Sequence, residues 1–237
     1  MCADIDYRDQ CNTAHRLHKL LGAGAGVDGM DYLDLACGTG PHVEHFLELG
    51  YVASGLDLNG AMLDRAALRC PQACFYEHDM SAFSFREQFD LITCFLYSMH
   101  YCYPKQNYVQ ALVNAYNALK AGGVLCFDMV DKTKIANDAG IKHGGHYQNA
   151  DFEFQSRWFY DGEGDELSLH ISICRSHQGV IQRWEDQHRM LAIRVVDVQK
   201  VLESIGFAVQ LFERDFSRLV SWNGESGNVF IAAIKPL

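Results

Sequence analysis

Tyr32-Leu33-Asp34-Leu35-Ala36-Cys37-Gly38-Thr39-Gly40-Pro41-His42 is the stretch on which the fold turns. An apolar run leads straight into a turn with two glycines and then into a helix whose first position is proline, where a missing N–H costs nothing. Backbone can approach a ligand closely at Gly38 and Gly40. Asp34 is an acid inside an otherwise apolar strand. Asp57, 17 residues beyond Gly40, closes the next apolar run in Gly-Leu-Asp-Leu-Asn, where a carboxylate can accept both hydroxyls of a ribose. Alone, two glycines so spaced read as an ordinary turn; with Asp57 they point to a nucleoside-bearing ligand. A nicotinamide dinucleotide fingerprint wants a third glycine where Val43 stands and has no use for Asp34.

Outward from this turn the chain alternates. Leu17, Leu20 and Leu21 at helical spacing predict a short helix over 12–22, followed by the link GAGAGVDG. Strands are predicted at Tyr32 to Ala36, Tyr51 to Leu58, Ala73 to Glu77, Phe89 to Phe95 and Val124 to Val130. Helices are predicted from Pro41 to Leu49, from an N-cap at Asn59, and from Gln106 to Ala121 with Gly122 and Gly123 as the stop. Such alternation builds a parallel sheet covered by helices on both faces, with ligands beyond the carboxyl ends of the strands. From residue 131 the texture changes. A polar stretch runs to Asn149, and Phe152 to Tyr160, Leu167 to Arg175 and Val180 to Leu191 then alternate with period two, as an inserted antiparallel sheet would. A last helix, Val195 to Ser204, leads into Ala208 to Glu213 and Val229 to Lys235, a long hairpin at the edge of the main sheet.

The ordered motifs closely resemble those of the class I S-adenosylmethionine-dependent methyltransferases. Asp34, Ala36, Gly38 and Gly40 match the first, with Ala36 replacing the more usual glycine. Asp57 with Leu58, then His78-Asp79-Met80, then Leu119-Lys120-Ala121-Gly122-Gly123 match the later ones in order. The resemblance implies an α/β, Rossmann-like fold: a seven-stranded mixed sheet with helices on both faces, plus an antiparallel β insert after strand five. It implies S-adenosyl-L-methionine as cofactor. Asp34 and the backbone of Ala36, Gly38 and Gly40 would hold the methionine end, with His42 approaching its carboxylate. Asp57 would take the ribose, Asp79 the adenine amine, and Leu58, Met62 and Met80 the purine faces. Phe95 would border the sulfonium through its backbone and ring.

The acceptor is read more coarsely. The chain has Phe95-Leu96-Tyr97-Ser98-Met99-His100-Tyr101 where methylases of adenine or glutamine nitrogen carry Asn/Asp-Pro-Pro-aromatic, which argues against polymer methylation. The insert after strand five makes the layout similar to small-molecule N-methyltransferases, in particular sugar N,N-dimethyltransferases. N-methylation of a small polar molecule is therefore expected, with O- or C-methylation, or a non-catalytic S-adenosylmethionine-binding module, as alternatives. An aliphatic amine, with a pKa of about 10, needs a proton acceptor at pH 7. His100 and Tyr101, just beyond strand four, are the candidates, together with Glu185 and His188 in the insert; Tyr7 could fold over the site. No metal is expected, because no Asp or Glu lies between Asp90 and Lys120 and because the His143, His146 and Asp151 group reads as a polar loop.

Bulk properties bound the rest. The 237 residues carry 20 Lys plus Arg against 30 Asp plus Glu, a formal charge of −10, which disfavours nucleic acid and anionic membrane as partners. The nine cysteines include no CxxC pair and read as free thiols. No export signal and no 18-residue apolar run is found, so the expected location is cytoplasmic. The expected partner is a small-molecule methyl acceptor, with a homodimer left open. At roughly 150 residues per domain, one methyltransferase domain over 1–237 is expected, with 131–192 as an inserted antiparallel cap over the substrate.

Overall fold

The computed structural model describes residues 7–23, 29–137 and 140–237. Five strands come first: β1 (Asp31–Leu35), β2 (Val52–Asp57), β3 (Cys74–Glu77), β4 (Phe89–Cys94) and β5 (Leu119–Val130). Then β6 (Gly140–Tyr147), β7 (Ala150–Phe159), β8 (Glu166–His177) and β9 (Val180–Leu191) make a separate antiparallel sheet in sequential order, before β10 (Ala208–Glu213) and β11 (Asn228–Ile234) return to the first. The main sheet has the order β10-β11-β5-β4-β1-β2-β3. Its five early strands pair in parallel, and β11 runs antiparallel to both β5 and β10. Strand order therefore reverses between β1 and β4, and the crevice at their carboxyl ends is where a sheet of this kind opens to a ligand.

Period-two alternation places the helices. Leu33, Leu35, Ile92, Leu125 and Phe127 point to one face, where α4 (Lys105–Ala118) and α5 (Val195–Ile205) bury Tyr108, Leu112, Val198 and Leu202 against them. Tyr32, Leu91, Val124 and Cys126 point to the other, covered by α1 (Tyr7–Leu21), α2 (Pro41–Glu48) and α3 (Gly60–Arg69) through Leu17, Phe46 and Leu63. A strand buried on both faces reads as a continuous apolar run, and Asp34 and Asp128 are therefore conspicuous within theirs. Among the described residues the cysteines are free, and no helix is long and apolar enough to cross a membrane.

Three elements depart from expectation. The long helix ends at Ala118 and not at Ala121, because Leu119 pairs with Phe89 and Lys120 Nζ is drawn to Asp31 and Asp90, 2.8 and 2.7 Å away. The first helix starts at Tyr7, five residues early, and most of the glycine-rich link lies outside the described residues. The polar stretch after residue 131 holds a further strand, β6, paired with β7 along its length. Its sequence GIKHGGHY hides the alternation because neither face of this edge strand is buried.

On the α1 side the Tyr51 hydroxyl sits between His15 Nδ1 at 3.1 Å and His18 Nδ1 at 2.9 Å. Burial lowers the His18 pKa to about 4. Between that value and the unfolded value of about 6.5 the unfolded chain binds the extra proton, so this contribution to stability is complete above pH 6.5 and is lost as pH falls toward 4. Urea unfolding should give a lower midpoint at pH 5 than at pH 7.5, and His18→Gln should narrow that gap; an unchanged gap would remove His18 from the effect.

Candidate functional site

The turn after β1 is left-handed three times in five residues, with φ of 56° at Ala36, 54° at Gly38 and 79° at Gly40. At Ala36, the one non-glycine of the three, this conformation costs about 1 to 2 kcal/mol. Contacts hold it in place. Cys37 N–H donates to Leu56 O at 3.0 Å, and Gly38 N–H donates to Asp57 Oδ2 at 2.8 Å. Gly55 lies beneath, where a Cβ would come within 2.7 Å of Cys37 Sγ. The other Asp57 oxygen accepts from Asn59 N–H at 2.9 Å, and Asn59 in turn caps α3 through Met62 N–H. A carboxylate has about four acceptor sites, so Asp57 holds the turn and keeps capacity for two hydroxyl donors.

Asp34 is 1% exposed. Tyr32 donates to Thr93 Oγ1 at 2.7 Å, and Thr93 donates to Asp34 Oδ1 at 2.8 Å. Burial, and then Asp34 itself, push the Tyr32 phenol well above its ordinary range, which keeps it a donor. Among the described residues Oδ2 of Asp34 has no hydrogen-bond partner, although His42 Nδ1 lies 3.3 Å away. A buried acceptor left unmet costs about 1 to 3 kcal/mol, more when charged, so this oxygen suits a cationic donor such as an ammonium. Leu58 and Met62 lie exposed beyond β2, at 70% and 41%. Asp79 turns one oxygen to Ser81, whose N–H and Oγ lie 2.7 and 2.8 Å from it, and Met80 packs partly buried behind.

Beyond β4 the backbone is left-handed twice running, at Leu96 (φ 57°) and Tyr97 (φ 61°). Tyr97 N–H donates to Asp128 Oδ1 at 2.8 Å, and Arg214 Nε donates to Asp128 Oδ2 at 2.6 Å while its guanidinium lies 4.6 Å from the centre of the Tyr97 ring. Strain held in this way by a fully buried carboxylate clusters at working sites. Sequence reasoning missed Asp128 and Arg214. The signal for Asp128 was the one that flagged Asp34, an acid in an apolar strand; Arg214 had none.

Several expected roles change. His100 cannot serve as the base: it is fully buried, Val130 N–H donates to its Nε2 at 3.1 Å, and its Nδ1 lies 2.7 Å from Leu191 O. Since an N–H fills Nε2, Nδ1 carries the hydrogen and donates, and burial lowers the ring's pKa. His100 staples the ends of β5 and β9 together. His42 does not reach outward to a carboxylate, because its ring is buried between Asp34 and Gln10 Oε1, with Nε2 2.8 Å from the latter. The Phe95 ring is also buried, against His42, Phe216 and Phe230, so it does not stand free to border a ligand. Tyr7 packs edge-on to His42 with ring centres 5.1 Å apart. Tyr101 is 42% exposed and its hydroxyl lies 2.8 Å from His188 Nδ1. Glu185 points to the opposite face of β9 from His188 and lines, with Arg157 and His170, an open cavity of about 430 Å³ on the insert. His146 pairs with Asp151 at 2.8 Å, and among the described residues no three His, Cys, Asp or Glu side chains are grouped so as to hold a metal.

Residues 33–123 match a family described as a methyltransferase domain. A putative methyltransferase, YqeM, of Bacillus subtilis is 26% identical over 191 residues, covering 78% of this chain and 76% of that protein. The dTDP-3-amino-3,4,6-trideoxy-alpha-D-glucopyranose N,N-dimethyltransferase of Streptomyces venezuelae is 23% identical over 184 residues, 76% of each chain. Among solved structures, the sugar N-methyltransferase KedS8 from Streptoalloteichus superposes with a TM-score of 0.83 at 18% identity, over 99% of this chain and 90% of that one. The matched span holds the turn, Asp57, Asp79 and β4, and the superposed chain includes the insert. Replacing Asp57 with Ala should weaken S-adenosylhomocysteine binding by about 1.5 to 3 kcal/mol, through lost hydrogen bonds to a charged group and a loosened turn; calorimetry checks this, and unchanged affinity would take Asp57 out of the site.

Proposed function

The chain is an S-adenosylmethionine-dependent methyltransferase, and from that premise we propose that it methylates a nitrogen of a small polar amine. One observation carries the reading. Asp34, Asp57 and Asp79 stand at or just beyond the carboxyl ends of β1, β2 and β3, so three acids gather at the edge that receives the ligands, apart from Asp128, which Arg214 neutralises. Such an edge favours a cationic cofactor and, at the reacting end of the acceptor, a protonatable amine. Relatives named for N,N-dimethylation of dTDP-linked amino sugars support the same class.

Within this reading Asp34 Oδ2 takes the ammonium of the cofactor's amino-acid end, beside the Ala36 to Gly40 turn. Asp57 accepts the ribose hydroxyls, the outer oxygen of Asp79 accepts the adenine amine, and Leu58, Met62 and Met80 cover the purine. The bound cofactor supplies a methyl carbon already activated by its sulfonium. The protein's own work is to hold the nucleophile about 3 to 3.5 Å away and in line, and to exclude water. The insert, placed by the His100 staple and by Trp158 against Tyr97 at 5.1 Å, roofs the acceptor.

Labelled S-adenosylmethionine should pass its methyl group to members of a panel of dTDP-linked amino sugars and simple polar amines, and not to matched hydroxyl or thiol compounds. Transfer to oxygen or sulfur alone would replace the amine reading with its O- or S-counterpart, and transfer to carbon alone would do the same for C-methylation.

A further inference from the structure

We propose that Tyr101, backed by His188 and Asp186 of the insert, accepts the proton that the amine must lose on methylation; this rests on the amine reading above. The three side chains form a hydrogen-bonded row joining the segment after β4 to β9. Tyr101 Oη lies 2.8 Å from His188 Nδ1, and His188 Nε2 lies 3.1 Å from Asp186 Oδ2. The direction of each bond follows from the end of the row. An ionised carboxylate only accepts, so Nε2 carries the hydrogen; Nδ1 of the neutral ring is then an acceptor, and Tyr101 donates to it. The phenolic oxygen keeps its lone pairs for a donor from the crevice.

Burial, and then Asp186, raise the Tyr101 pKa, so the phenol stays protonated near neutral pH and cannot act as a standing phenolate. It can accept a proton only by passing its own on. In the step, an ammonium proton moves to Tyr101 Oη as the phenolic proton moves to His188 Nδ1, and Asp186 stabilises the imidazolium formed. The freed amine lone pair forms the N–C bond while the C–S bond breaks and its electron pair stays on sulfur. His188, whose side chain is 32% exposed, then returns the proton to water.

Leu169 and Ile171 of β8 stand opposite His188 and Asp186. Gln187 and Arg189 alternate onto the other face of β9, where Arg189 pairs with Glu166 and lies over the Tyr103 ring. Beside Tyr101, His100 has both nitrogens committed to backbone, and burial ahead of nearby Asp79 raises the Cys102 thiol to about 12. Trp158 of β7 meets His100 edge-on. Asp186 is the charge bonded to the row, the cavity it lines also holds Arg157, His170 and Glu185, and the His188 bond holds its carboxyl below the usual range. Tyr101 touches the acceptor in this scheme; His188 and Asp186 are positioning residues.

The full-length protein is assayed from pH 6.5 to 10 on an amine that the wild type methylates in the panel above, beginning with a dTDP-linked amino sugar. Tyr101→Phe should lower kcat by about 100-fold at pH 7, the scale of general acid–base assistance, with S-adenosylhomocysteine affinity unchanged. The deficit should close toward pH 10, where the amine arrives already deprotonated. His188→Gln and Asp186→Asn should show smaller deficits with the same pH trend. No deficit, or one independent of pH, overturns the relay and leaves the amine reading standing. A wild type that methylates no amine overturns both.

Discussion

A carboxylate 1% exposed at the end of β1 is the constraint around which the site is built. Taking Asp34 out of water is expensive unless each oxygen is met. Thr93, oriented by Tyr32, meets one. The other has His42 nearby without a hydrogen bond, and that gap is what a ligand's ammonium would close. The cost is carried by the fold around it: two parallel neighbours hold β1, and the left-handed turn that follows is pinned by Asp57.

Asp128 repeats the device on the far side of β4. In the sheet β4 lies between β1 and β5, so two buried acids flank its carboxyl end. Asp34 grips β4 through Thr93, and Asp128 grips the segment after it through Tyr97 N–H. They differ in completeness, since Arg214 neutralises Asp128. One acid is thus complete as scaffold and the other keeps an oxygen without a hydrogen-bond partner, which fits the assignment of Asp34 to the cofactor's ammonium.

Much of this was legible in the sequence. The Asp34 to Gly40 turn, Asp57 and the alternation of strands with helices are local signals, each contained within a few residues, and period two exposed three strands of the insert. What stayed hidden depends on distant contacts. His100 looks like a loop histidine until Leu191, 91 residues away, claims one nitrogen and Val130 the other. His42 follows a glycine turn but is held by Gln10 of α1. Lys120 pulls its residue out of a helix because Asp31 and Asp90 flank it in the folded sheet. Sheet order, which sets β4 between two acids, cannot be read from spacing.

Calorimetry that separates the two ends of the cofactor tests the role of Asp34 most directly. S-adenosylhomocysteine and methylthioadenosine, which keeps the nucleoside but lacks the amino-acid tail, are titrated into the wild type and into Asp34→Asn. If Asp34 Oδ2 receives the ammonium, the variant loses affinity for S-adenosylhomocysteine and binds methylthioadenosine as the wild type does. Equal losses for both ligands, or no loss for either, would contradict it.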